Sequence, residues 1–73
     1  MQIQLAKQFE AQVGEAARKM VAEKLDVCEI PGSSGMVLVR IGSPEYEHRL
    51  QANLIAMIIP IPVTVNGNHF VIC

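Results

Sequence analysis

Apolar positions in the first third of the chain recur every three or four residues. Leu5, Phe9, Val13, Ala16, Ala17, Met20, Val21 and Leu25 form one stripe, which is the period of an amphipathic helix. Lys7, Gln8, Glu15, Arg18, Lys19 and Glu23 fall on the opposite side. The pattern predicts a helix from about Ile3 to Leu25. Glu15 and Lys19 stand four apart in the order that supports a helix. Gly14 costs about 1 kcal/mol against alanine at a mid-helix position. It is either a point of close approach for another element or a plain exposed glycine.

The period then shortens. Val27 to Ile30 and Met36 to Ile41 are β-prone runs, and PGSSG between them is built of turn formers. The pair reads as a hairpin with a five-residue loop. Ser43-Pro44-Glu45 is a helix start: a serine N-cap, proline at the first helical position, and an acid in the first turn. The second helix is expected from Pro44 to about Met57. Its buried stripe is expected to be Tyr46, Leu50, Leu54, Met57 and Ile58, with Glu45 and Arg49 as an i, i+4 pair. Pro60 ends it.

IPVTV and NHFVI flank Asn66-Gly67. A type I′ turn needs positive φ at both central positions, and Asn-Gly is the strongest two-residue signal for one. It sets Val65 against Asn68, Thr64 against His69, Val63 against Phe70, Pro62 against Val71 and Ile61 against Ile72. Pro62 lacks an N–H, which places its strand at an edge or makes it irregular. The fold class is therefore α+β, one small domain over residues 1–73 in the order α-ββ-α-ββ. A four-stranded, mainly antiparallel sheet is expected, with both helices packed on one face.

Alternation along the strands sorts their side chains onto two faces. Val37, Val39, Ile41, Ile61, Val63, Val65, Phe70 and Ile72 are assigned to the helix side. Met36, Leu38, Arg40, Pro62, Thr64, His69, Val71 and Cys73 are assigned to the outer side. That outer set is too apolar for a solvent face and too polar for a dry core, which is the composition of a contact surface. Met36, Leu38 and Val71 are its interface candidates. Arg40, Thr64 and His69 are its ligand-binding candidates, an arginine and a histidine being able to hold an anionic group.

Composition sharpens the expectation of self-association. The chain has 73 residues, of which 51% are hydrophobic, and its mean hydropathy is +0.31. A chain of this size buries only about 60% of the surface its unfolded form exposes. It has more apolar surface than a small sphere hides, and a second copy is the simplest cover. The net charge is −1 and the cations Lys7, Arg18, Lys19, Lys24, Arg40 and Arg49 are scattered, so the basic stripe of a nucleic-acid binder is missing. The longest apolar run, LIAMIIPIPV at 54–63, is too short for a membrane span and holds two prolines. Cys28 and Cys73 are the two cysteines. They make no disulfide framework, and with no signal-peptide pattern the expectation is a cytoplasmic protein with reduced thiols.

Four other constellations point to chemistry only weakly. Cys28, His48, His69 and Cys73 are metal-ligand types without metal-ligand spacing, and no metal or other cofactor is expected. Cys73 and His69 lie four apart on one strand, about 13 Å at 3.3 Å per residue, which is too far for a nucleophile–base pair. Gly32-Ser33-Ser34-Gly35 lacks the lysine and following helix of a phosphate loop. Glu45, Glu47 and His48 suit a solvated helix start better than acid–base work. No catalytic residue is assigned. The leading expectation is a non-enzymatic interaction or adaptor protein acting as a homodimer or larger homo-oligomer. The alternative is a module that binds a small anionic ligand on the outer sheet face.

Overall fold

The structure, a computed structural model, describes residues 7–73. Its elements run α1 (Glu10–Glu23), β1 (Val27–Glu29), β2 (Val37–Arg40), α2 (Pro44–Ile55), β3 (Ile61–Val65) and β4 (Asn68–Ile72). The first part of the expected long helix, with Leu5, lies outside the described residues. The four strands form one antiparallel sheet in the order β1-β2-β4-β3. β2 and β3 run in the same direction with β4 between them. This is a small α+β domain in the expected element order.

Each boundary has a local cause. α1 closes at Lys24, whose left-handed φ of 55° turns the chain and lets the Leu25 N–H donate to the Met20 carbonyl at 2.9 Å. The same carbonyl accepts the Lys24 N–H, and the added six-to-one bond closes the helix end. In the β1–β2 loop, Ser33 is buried. Its hydroxyl donates to the Ile30 carbonyl at 2.6 Å and lies 3.0 Å from that of Met36. Ser43 caps α2 as the sequence predicts: its Oγ accepts from the Tyr46 N–H at 3.1 Å and donates to the Arg40 carbonyl at 2.8 Å. Asn66 and Gly67 take φ of 49° and 80°, and β3 pairs with β4 in the register the turn dictates. With β1, β3 forms the sheet's edges, so Pro62 removes no ladder bond from a central strand.

The main core lies between α1 and one face of the sheet. Val13, Ala16, Ala17 and Met20 of the helix meet Ile30, Leu38, Ile61, Phe70 and Ile72, with Phe9, Leu25, Cys28, Met36, Val63 and Val65 packed around them. The face assignment for β3 and β4 is as expected, but that for β2 is reversed. Leu38 stands opposite Cys28 and Ile72, and Arg40 opposite Phe70. Met36, Leu38 and Arg40 therefore point toward α1, while Val37, Val39 and Ile41 point away. Val39 stands beside Val71 on the reverse face, and both are buried.

The two helices contribute unequally to the core. Among the described residues, α2 contributes none to the α1-side core. It rests instead against β2. Its half-buried stripe of Tyr46, Leu50 and Asn53 has the spacing of an element resting on a surface. α2 nevertheless holds no fully buried residue.

Candidate interaction surface

The outer-face residues singled out in the sequence do not form one site. Leu38 is 0% exposed in the α1-side core, Met36 packs against that core, and Val71 is buried on the reverse face. A residue with no exposure cannot form a contact surface without unfolding its own core, so Leu38 is corrected from interface to core. The ligand-binding trio is divided by the sheet. Arg40 lies on the α1 face, whereas Thr64 and His69 pair across β3 and β4 on the other.

Arg40 is already engaged where it lies. Its Nη2 donates to the carbonyls of Met20 at 3.4 Å and Leu25 at 3.3 Å. Its guanidinium sits 5.6 Å from the centroid of the Phe70 ring, and its Nε lies 3.9 Å from the Asp26 carboxylate. α1 carries no basic residue in its own last turn. Arg40 reaches across from the sheet to put positive charge at the negative end of the helix dipole. Thr64 Oγ1 and His69 Nδ1 share a hydrogen bond of 3.2 Å on exposed surface. That pair braces the edge hairpin from outside.

The other constellations stay apart. Among the described residues, no group of three or more His, Cys, Asp or Glu side chains stands close enough to hold a metal ion. Cys28 and Cys73 are both free thiols and half-buried. The Ser33 hydroxyl turns inward onto backbone carbonyls, so it does not line an anion cradle. Glu45 is bound to Arg49 at 3.0 Å.

The surface that stands out is one the sequence pattern assigned to the interior. Leu54, Ile55, Met57, Ile58 and Ile59 are exposed to between 52% and 88%. The sequence reading buried Leu54, Met57 and Ile58 on a continuing helical stripe. Instead α2 ends at Ile55, and Met57 takes a left-handed φ of 60°. The Ile58 N–H closes the end by donating to the Asn53 carbonyl at 2.8 Å. The turn breaks the 3.6-residue period, and the apolar residues after it project outward.

Taking about 170 Å² for each fully exposed side chain, these five residues show roughly 600 Å². That is the top of the range for the largest apolar patch on a typical monomer and approaches the roughly 800 Å² each partner buries in a standard interface. The useful sequence signal was the LIAMIIPIPV run itself, longer than one helical face can absorb. Comparison of the chain with protein-family models, curated proteins and solved structures finds no match.

Proposed function

We propose that this chain is a non-enzymatic interaction protein that works as a homo-oligomer, and that its contact surface is Leu54–Ile59. One observation carries the reading: a helix with no fully buried residue ends in a stretch, Leu54–Ile59, in which five of six residues are large apolar side chains that are mostly exposed. A helix in a small domain gains its stability by burying an apolar face. α2 leaves much of that apolar surface in water, and a second copy supplies the missing cover. A cytoplasmic location with Cys28 and Cys73 reduced belongs to the same reading. No helix of the described residues is long and apolar enough to cross a membrane, so a bilayer-spanning role for the exposed apolar segment gains no support. The anionic-ligand alternative needs Arg40 beside His69, and the sheet separates them. Molar mass in solution, for the natural chain and for Ile55→Asp, tests the proposal.

A further inference from the structure

The exposed apolar segment is a ridge. Ile55 and Met57 are 86% and 88% exposed, so almost nothing of their own chain flanks them. Two ridges bury each other poorly, because a tight interface needs complementary shape. A cleft buries a ridge well, and the described residues form one elsewhere. Between α1 and β3, Val13 and Gly14 face Val63 and Val65 across an open cavity of about 390 Å³, rimmed by Lys7 and Glu10. A second cavity of about 250 Å³ continues past Val65 and Asn66 to Ala17, Arg18 and Val21. An apolar floor with a charged rim is the anatomy of a protein–protein contact.

We infer that the α1–β3 cleft receives the Leu54–Ile59 ridge of a second copy, so that the copies meet ridge to cleft and not ridge to ridge. This rests on the self-association reading above and names its docking partner. The area is sufficient: the ridge alone offers roughly 600 Å², against about 800 Å² per partner in a standard interface, and the cleft rim adds to it. The mode is set by side chains. Pro62 has no N–H, which makes β3 a poor template for strand addition. A contact between two different surfaces of one chain is heterologous unless a two-fold axis repeats it reciprocally, so it closes a ring or dimer or adds copies in series.

Complementary variants test the assignment. A Cβ built at Gly14 meets only the Arg18 Nη1, at 3.8 Å. Gly14→Glu therefore fits the helix and puts a carboxylate on the cleft wall. Ile55→Glu combined with Met57→Asn removes the ridge, asparagine being tolerant of the left-handed φ at position 57. Each variant alone is expected to run as a monomer of about 8.0 kDa. An equal mixture is expected to form a one-to-one dimer at twice that mass, because one variant keeps the ridge and the other keeps the cleft. Val21→Glu, at the far end of the cleft, is expected to behave as Gly14→Glu does and decides the matter if Gly14→Glu loses its circular dichroism. A cleft variant that keeps the mass of the natural chain overturns the assignment, as does a mixture that stays monomeric. Both of those results leave self-association standing. A natural chain that is itself monomeric removes self-association, and the docking assignment with it.

Discussion

The Arg40 guanidinium donates to the Met20 carbonyl at 3.4 Å, joining the second strand of the sheet to the last turn of the first helix, twenty residues earlier in the chain. The bond explains why a charged residue is tolerated on the core face. The Arg40 guanidinium stands over the Phe70 ring and donates to the carbonyls of Met20 and Leu25 at the helix end. Arg40→Met keeps the stem and deletes the charge. It is expected to cost about 1–2 kcal/mol in urea unfolding, from lost carbonyl bonds and lost dipole compensation. Arg49→Met, which breaks the half-exposed pair with Glu45, should cost no more than about 0.5 kcal/mol. Equal costs for the two would remove the special role of Arg40.

Leu38 is fully buried between α1 and the sheet. Leu38→Ala is expected to destabilise the fold by about 2–5 kcal/mol, the range for deleting a buried leucine side chain. A loss under about 1 kcal/mol in chemical denaturation would mean that Leu38 faces outward after all.

The reversed face of β2 shows where the sequence stops being informative. MVLVRI is apolar at both phases of the alternation, because β2 is a central strand with Leu38 buried on one face and Val39 on the other. A two-sided apolar strand carries no phase signal. The one polar residue in it, Arg40, then misdirects: it reads as an outward residue and in fact points inward to cap a helix. β3 and β4 were legible because Asn66-Gly67 pins their register locally. Likewise Ser43-Pro44 marked the start of α2 to the residue. The end of α2 was not legible. Leu54, Met57 and Ile58 continue the helical period on paper, and only the left-handed turn at Met57 shows that the period is broken.

Ser43 is buried and uses its hydroxyl in both directions, toward Tyr46 and toward Arg40. Ser43→Ala removes an N-cap and leaves the Tyr46 N–H without that acceptor. The expected cost is about 1 kcal/mol by thermal or urea unfolding. An unchanged midpoint would show that α2 adds nothing to the cooperative fold.

The two conformational roles of glycine separate cleanly here. Gly14 sits in mid-helix, where an added Cβ would make only an ordinary contact with the Arg18 Nη1 at 3.8 Å, so Gly14→Ala is expected to stabilise the chain by about 0.5–1 kcal/mol. Gly67 holds a φ of 80° in the β3–β4 turn. Gly67→Ala is expected to destabilise by about 1 kcal/mol, since an L side chain is strained there. The two melting temperatures should move in opposite directions; a shared direction would contradict the turn assignment or the helix assignment.

The central claim is that the exposed Leu54–Ile59 segment is covered by a second copy, and light scattering across a wide dilution series tests it most directly. The natural chain is expected to hold a mass of at least twice 8.0 kDa well below micromolar concentration. Ile55→Asp, a change at an 86% exposed position, is expected to drop to the monomer mass with its far-ultraviolet circular dichroism intact. A natural chain that runs as a monomer throughout, or an Ile55→Asp chain that keeps the mass of the natural one, would contradict the account.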